Sequence, residues 1–414
     1  MKSPLAPINL DAVLNDIETL GLHKWLVREL TKAFMEARKG KRNTHDMHEF
    51  ELHWENNILN LAKAIEERSY EPGSSIAFVV FDPMVREIFA APSRDRSVHH
   101  LAYDLHAGWF DASFIPTSTS CRPSKGTYIG VKYLQQHMRE VTENCTKKAI
   151  GVRMDLQGYF MSINRKKLRD EIIEGVEEQF KPYRGRRSAE QLLSISKFIW
   201  DKIIMDDPVK KARRRGNIKN WDTSVLPSRK SLYCQPDGQG IVIGNLTSQL
   251  SSNILLGKFD CYVTETLGYR FYGRYVDDFY ILVPSEEYPR LKRDLKLIER
   301  FLENEIGVIL HPNKRYCQSV YKGMTFLGVR VYPNCLYPSD RLRAKFRKAV
   351  HDYNKNRCNI ETIISYLGHM KNLDADNFVK KIFREVGWNF APYLEFKSLV
   401  RRPARDLVRE MRGR

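Results

Sequence analysis

The chain has 414 residues, 42% hydrophobic and 29% charged, with 68 Lys and Arg against 50 Asp and Glu and a formal charge of +18. That length accommodates two or three domains and a core that hides about three quarters of the unfolded surface. The opening Met1–Pro7 has no apolar core of a leader, and no run of about 18 apolar residues follows. The seven cysteines never lie closer than 18 residues, which excludes a Cys-x-x-Cys zinc knuckle or redox pair. These totals predict a soluble cytoplasmic protein with reduced thiols and no membrane partner.

Residues 8–70 carry helical spacing, with Leu14, Ile17 and Leu20 and then Leu26, Leu30 and Phe34, interrupted by the basic stretch Lys39 to Arg42. Two short extended runs, 77–81 and 85–90, are joined through Asp82-Pro83, and a helix is expected over 97–108. The turn-rich 120–126 opens an amphipathic helix over 127–141. Ile150, Val152 and Met154 alternate with Gly151, Arg153 and Asp155, so a strand with one buried face ends with Asp155 on the other. Helices follow over 165–180 and 188–205, and the charge run Lys210 to Gly216 reads as a solvated loop. Gly244 precedes a long helix over 247–267 that stops at Gly268. A further helix spans 288–305, and short strands span 324–328 and 329–332. No internal repeat or low-complexity segment occurs.

The most informative feature is Tyr275-Val276-Asp277-Asp278, set between the runs 271–274 and 279–283, which places two adjacent carboxylates at a hairpin turn. Neighbouring carboxylates repel and lose solvation at a sheet edge, a cost that divalent cations relieve. Asp206-Asp207 is an internal control, since Pro208 follows and no strand lies beyond it, and it reads as a structural turn. From 341 to 414 there are 18 Lys and Arg against 8 Asp and Glu, a net +10, with Trp388, Phe390, Tyr393 and Phe396 interspersed. Basic charge around aromatic residues points to contact with nucleic acid. His99 and His100 have no spaced metal-binding partner and read as ordinary packing or surface histidines.

In order, these pieces are a strand ending in a carboxylate, a basic insertion, a glycine turn into a helix, a carboxylate hairpin, a helix ending near a lysine and a small sheet. The order resembles the palm of a reverse transcriptase. Arg153-Met154-Asp155-Leu156-Gln157-Gly158-Tyr159-Phe160 resembles that family's first metal motif, Tyr275 to Asp278 its second, and Thr325-Phe326-Leu327-Gly328 its primer-grip turn. Ile243-Gly244-Asn245-Leu246-Thr247-Ser248-Gln249 departs from the Gln-Gly-x-x-x-Ser-Pro pattern of intron and retroviral enzymes and is similar to the variant of diversity-generating retroelements. The segments 213–232 and 120–127 also resemble that group. The likeness runs from about 81 to 332 and is looser outside.

The resemblance implies an α+β right-hand polymerase. Residues 1–75 would be a helical extension, 76–150 helical and β fingers, 151–332 an antiparallel-sheet palm with a basic insertion about 181–235, and 333–414 a helical basic thumb. It implies Asp155, Asp277 and Asp278 as ligands of two Mg2+ ions, with Mn2+ as substitute, and Lys314 as proton donor to pyrophosphate or a solvated lysine. Phe160 would exclude a ribose 2′-hydroxyl or pack in the core, and Gln157, Tyr159 and Tyr275 would line the nucleotide. Gly244 would admit nucleotide or template backbone, while Asn245, Ser248 and Gln249 touch the copied base or cap the helix. One of Arg86, Arg94 and Arg96 would meet the triphosphate, the others pairing with acids such as Asp95. Arg122, Lys125, Arg213, Arg214 and Arg215, with Phe326, Leu327 and Gly328, would meet nucleic acid.

The partners implied are template RNA, its cDNA, deoxynucleoside triphosphates, a cognate noncoding RNA and a small basic accessory protein. The settings left open are a retroelement enzyme, an anti-phage defence enzyme and a retron-like enzyme. From another class, a noncatalytic maturase-like RNA-binding protein is the alternative. No nuclease-like His/Asn cluster or zinc motif follows residue 332, so no fused endonuclease is expected.

Overall fold

A computed structural model describes residues 5–82, 84–398 and 404–413. The architecture is mixed helix and sheet, with helix predominating. The chain forms two compact units, the first from residues 1–126, 154–279 and 290–315, the second from 127–153, 280–289 and 316–414. Among the described residues no helix is long and apolar enough to cross a membrane.

In the first unit the helix Leu10–Leu20 starts where the Asn9 side chain accepts from the Ala12 N–H at 3.2 Å, and ends at Gly21 with φ +83°. Leu22–Ala37 buries Trp25, Leu26, Leu30 and Phe34, and packs on Ser93–Ser113. That second helix begins earlier than its apolar spacing predicts because Asp46, distant in sequence, accepts from the Ser93 N–H at 2.8 Å. Arg165–Phe180 and Arg187–Met205 pack on each other, as their spacing predicts. The helix Leu246–Cys261 is buried around most of its girth, polar residues included, and widens into a π turn at Tyr262–Thr266.

A three-stranded sheet of this unit joins Ile76–Val80 antiparallel to Arg86–Ala90 and parallel to Arg213–Arg214. The last strand corrects the reading of 210–216 as a solvated loop. The Arg213 N–H donates to Ser75 O and the Arg215 N–H to Ala77 O, both at 2.8 Å, so the run is an edge strand with charged side chains exposed.

In the second unit the strands Asp278–Pro284, Ala149–Asp155 and Tyr316–Ser319 are neighbours in that order. Ile150–Arg153 runs antiparallel to Tyr316–Ser319, with Arg153 opposite Tyr316. Tyr316–Ser319 is a strand that the sequence pattern did not disclose. A small antiparallel sheet has Val329–Val331 between Met324–Phe326 and Leu336–Pro338. The amphipathic helix Thr127–Val141 lies beside it, Arg139 Nε donating to Pro333 O at 2.6 Å. Among the described residues, five helices from Asp340–Asn354 to Ala404–Met411 pack around Phe346, Phe383, Trp388 and Tyr393.

Candidate active site

Three stretches of the first unit are joined by backbone at one place. The Leu156 N–H, next after Asp155, donates to Asp277 O at 2.9 Å, and the His311 N–H donates to Asp155 O at 2.7 Å. Leu156 and Leu310 form an isolated bridge, and the Gln157 N–H donates to Ile309 O at 2.9 Å. The strand end, the carboxylate turn and the segment 309–314 therefore meet. Lys314 Nζ reaches Asp155 Oδ1 at 2.8 Å.

The turn is conformationally demanding. Val276 sits at φ +56°, a left-handed backbone that a β-branched residue adopts only under constraint. The constraint comes from Ser120 Oγ, which accepts from the Val276 N–H at 3.0 Å, and from Arg274 Nη1, which donates to Val276 O at 3.1 Å. Arg274 is wholly buried and forks onto Asp260, Nε to Oδ1 at 2.7 Å and Nη2 to Oδ2 at 2.6 Å. Tyr272 OH donates to the same carboxylate at 2.6 Å, and Asn253 Nδ2 donates to Ser120 O at 2.8 Å. Arg274, Asp260, Asn253 and Ser120 are positioning residues that the sequence reading missed. Their only local signal is a charge in the middle of an apolar strand and another inside an apolar helix.

Burial, first, and then the negative charges of Asp155 and Asp278 push the Asp277 carboxyl up to about 6, with Lys314 opposing. Asp278 begins its strand and is buried. Crowded carboxylates of this kind are the oxygen donor set of hard divalent cations. Among the described residues no three His, Cys, Asp or Glu side chains stand arranged as a cation's ligands, the nearest counter-charge to Asp155 being the Lys314 ammonium.

A basic group faces this place. The short 3₁₀ turn Ser228–Lys230 crosses Gly158, where an added Cβ would lie 3.3 Å from Arg229 O. Leu232 N–H donates to buried Glu87 at 2.8 Å, and Gln235 Nε2 holds Ser228 O and Ser231 O, both at 2.9 Å, which fixes the turn. Partial burial and the charges of Arg229, Lys314 and Arg86 lower the Lys230 ammonium, which places Lys230 in the field of the other three. Arg229 and Lys230 were not among the expected site residues.

The other expected residues divide. Phe160 is half-exposed beside Tyr159, rings 5.5 Å apart. Tyr159 itself is core, its hydroxyl donating to Ser252 O at 2.9 Å, which corrects its place among nucleotide-lining residues. Gln157 and Tyr275 are half-buried, and Gln249 is exposed on the first turn of its helix. Asn245 and buried Ser248 line a cavity of about 40 Å³ with Asp95 and His99. Gly244, at φ +130°, serves a different approach from the one expected: a Cβ there would lie 2.9 Å from Phe89 O, so the glycine admits the fold's own backbone.

Arg94 pairs with Asp95 at 3.1 Å, Arg96 is half-buried, and Arg86 is exposed. Arg122 is corrected outright. It donates to Asp111 Oδ1 at 2.6 Å and to the carbonyls of Ile115 and Ser118, both at 2.8 Å, and is a clamp on its own loop with little left for phosphate. Lys125 Nζ donates to Pro116 O at 3.1 Å. Arg213, Arg214 and Arg215 are exposed, with Arg214 over the Tyr233 ring at 3.9 Å and Arg215 over Phe78 at 5.1 Å.

In the second unit Phe326 is buried edge-on to Tyr280, 5.4 Å between centroids, so it is core rather than a nucleic-acid contact. Leu327 and Gly328, at φ +50° and +82°, form the accessible turn. Asp206 is paired with Lys211 at 2.6 Å and Asp207 with Lys210 at 3.5 Å, as structural carboxylates would be. His99 is a packing residue, its Nδ1 2.6 Å from Thr247 Oγ1.

No family model matches this chain, and no curated protein matches it. Solved structures similar to it include telomerase from Candida albicans in complex with a TWJ fragment of telomeric RNA, at 10% identity and a TM-score of 0.43, covering 84% of this chain and 64% of that one. Apo telomerase from Candida tropicalis gives 12% identity and a TM-score of 0.46, covering 80% and 59%. The same telomerase with the TWJ fragment gives 10% and 0.45, covering 83% and 59%. The chain thus spans about three fifths of the length of these telomerases.

Proposed function

We infer that this chain is an RNA-directed DNA polymerase with Asp155, Asp277 and Asp278 as its catalytic carboxylates. The observation that carries the reading is the 2.9 Å hydrogen bond from Leu156 N–H to Asp277 O, which brings two motifs that resemble reverse-transcriptase metal motifs to one point. Three crowded carboxylates suit a pair of Mg2+ ions, with Mn2+ as substitute. When bound, such a pair activates a primer 3′-hydroxyl and stabilises departing pyrophosphate.

The chain's own residues supply the rest. Val276, held left-handed by Ser120 and Arg274, aims the two adjacent carboxylates, and Leu156 fixes Asp155 beside them. Half-exposed Phe160 is placed in sequence to crowd the sugar and select deoxynucleotides. Arg86, Arg229 and Lys230 supply positive charge for a triphosphate, and Lys314 is the proton donor to the leaving group. In this reading 76–150 are fingers, 151–332 palm and 333–414 thumb, with 1–75 an extension.

The setting we favour is a diversity-generating retroelement, on the likeness of Ile243 to Gln249, with a cognate RNA and a basic accessory protein as partners. The test is primer extension on RNA with deoxynucleotides and Mg2+. Wild type should incorporate, and Asp277→Asn should lose at least about a thousandfold, a rise of roughly 4 kcal/mol in the activation barrier. No magnesium-dependent incorporation by wild type would leave the RNA-binding alternative. Sequencing the product made on co-expressed RNA separates the settings, since errors concentrated opposite template adenines mark the retroelement.

A further inference from the structure

We propose that an apolar groove of the first unit, bounded by an acidic rim, docks a basic amphipathic helix of a partner protein. The proposal goes beyond the polymerase reading and does not depend on it. The groove encloses about 950 Å³ and lies among the helices Arg165–Phe180 and Leu246–Cys261 and the segment 301–306. None of the residues assigned above to catalysis, nucleotide or nucleic acid lines it.

The floor is largely aromatic. Trp109, near the end of Ser93–Ser113, is 37% exposed. Half-buried Tyr262 and Phe301 stack with centroids 4.1 Å apart and planes 8° from parallel. At this stack both supporting helices widen into π turns, Tyr262–Thr266 after Cys261 and Leu302–Ile306 after Phe301, an uncommon form that often marks a functional surface. Gly257 keeps the trough open. A Cβ there would meet only Phe114, at 3.9 Å, so packing does not demand the glycine, although glycine inside a helix weakens it relative to alanine.

The rim identifies the occupant. It carries Asp170, Glu171, Glu174, Glu178, Glu265 and Glu305 against Lys167 and Lys258, a net −4 on a chain of +18. Asp170, Glu174 and Glu178 recur at every fourth residue on one face of Arg165–Phe180, and like charges at that spacing repel and weaken a helix. Both lysines are engaged, Lys258 with Glu171 and Lys167 Nζ with Asn304 O at 2.9 Å. Glu174, Glu265 and Glu305 are exposed and form no ion pair among the described residues. Such a rim repels the phosphates that the rest of the chain attracts, so the occupant is a protein and not a nucleic acid. A helix with an apolar stripe flanked by Lys or Arg meets both features, since the stripe covers Trp109, Tyr262 and Phe301 while the cations face the carboxylates. The wall Arg165–Phe180 has 16 residues, about 24 Å, which matches about four turns of a partner helix.

The experiment is fluorescence anisotropy of a labelled peptide of about 16 residues, Leu at helical spacing and Lys elsewhere, titrated with the full chain in KCl buffer. The chain's net charge disfavours this peptide and favours a counterpart with Glu in place of Lys, so a preference for Lys reports the groove. The Lys peptide should bind at least about tenfold tighter than the Glu counterpart and than a scrambled Lys peptide that has lost its stripe. Gly257→Leu, which fills the trough, should raise Kd about tenfold, with the urea midpoint and primer extension as in wild type. Glu174→Lys with Glu178→Lys, both at exposed positions, should weaken the Lys peptide and strengthen the Glu peptide, a reversal that loss of folding does not produce. Equal affinity for the three peptides, or Kd unchanged in both variants, would overturn the proposal. A dimer in sedimentation velocity that Gly257→Leu abolishes would overturn it in favour of a second copy, and binding of an RNA oligonucleotide weakened by Gly257→Leu would overturn it in favour of nucleic acid. Groove-dependent peptide binding by a chain that incorporates no deoxynucleotide would keep the proposal and remove the polymerase reading, while incorporation by a chain that ignores the peptide would do the reverse.

Discussion

Arg274 holds the turn that carries the adjacent carboxylates of Asp277 and Asp278, donating to Val276 O at 3.1 Å. It is buried among Asp260, Asn253, Ser118 and the carbonyl of Val276, closed off from bulk solvent. Truncating one member of a buried ion pair strands the other, at a cost of about 3–5 kcal/mol. Arg274→Met should therefore lower unfolding stability by that amount in urea titration. The double change Arg274→Met with Asp260→Leu should recover much of the stability, because an apolar pair replaces an ionic one at no desolvation cost. Activity should not return with it, since Val276 has lost the donor that holds its carbonyl and the turn relaxes. A double variant that polymerises normally would show that Arg274 serves stability alone. At this scale the sequence discloses the carboxylates, whose adjacency at a turn is a local pattern. It conceals Arg274 and Asp260, because what makes them matter is a partner 14 residues away, a distance that no periodicity encodes.

The same division holds for whole elements. The helix Thr127–Val141 follows from apolar spacing because it buries a single face, and the strand ending at Asp155 follows from the alternation at Val152 and Met154, although Ala149 and Gly151 on the opposite face are buried as well. The strand Arg213–Arg214 defies its composition, since its backbone pairs with Ile76–Ala77 while its side chains remain in water. The start of Ser93–Ser113 depends on Asp46, and the 3₁₀ turn over Gly158 depends on Glu87, both long-range partners. Gly244 is the instructive case, visible as a glycine before a helix and assigned to an approach by nucleotide. The approach is by the strand Arg86–Ala90, whose Phe89 N–H donates to Ile243 O at 3.1 Å. Gly244→Ala meets both a positive φ and a carbonyl 2.9 Å from its new Cβ. It should cost about 2 kcal/mol or more in thermal or urea unfolding. Weakened nucleotide binding at unchanged stability would instead return Gly244 to the substrate.

Across the whole molecule, the charge of +18 sets the field that the surface presents to solvent, whereas much of the pH response of the fold is set by groups hidden from solvent. His106 is the clearest of these. Gln179 Nε2 donates to Leu105 O at 3.1 Å, so its Oε1 faces His106 Nδ1 at 2.7 Å as acceptor and assigns the proton to Nδ1. The other ring nitrogen is buried without a partner near Phe180 and Trp200. A second proton has nowhere to go, and burial lowers the imidazole to about 4, with the Gln179 bond opposing. Folding therefore favours the neutral ring. Its contribution is complete above the unfolded value near 6.5, is lost as pH falls toward 4, and changes no further below that. Other groups move in the opposite sense, since partial desolvation, with the charges of Glu36 and Glu29, raises Asp104 to about 6, so the stability of the wild type alone does not isolate the histidine. Comparison with His106→Gln does. The advantage of wild type over this variant at pH 7 should shrink by about 1.4 kcal/mol per pH unit between pH 6 and 4.5. Urea midpoints at matched ionic strength measure the difference, and a gap constant across that window would mean that His106 is protonated as readily in the folded chain as in the unfolded one.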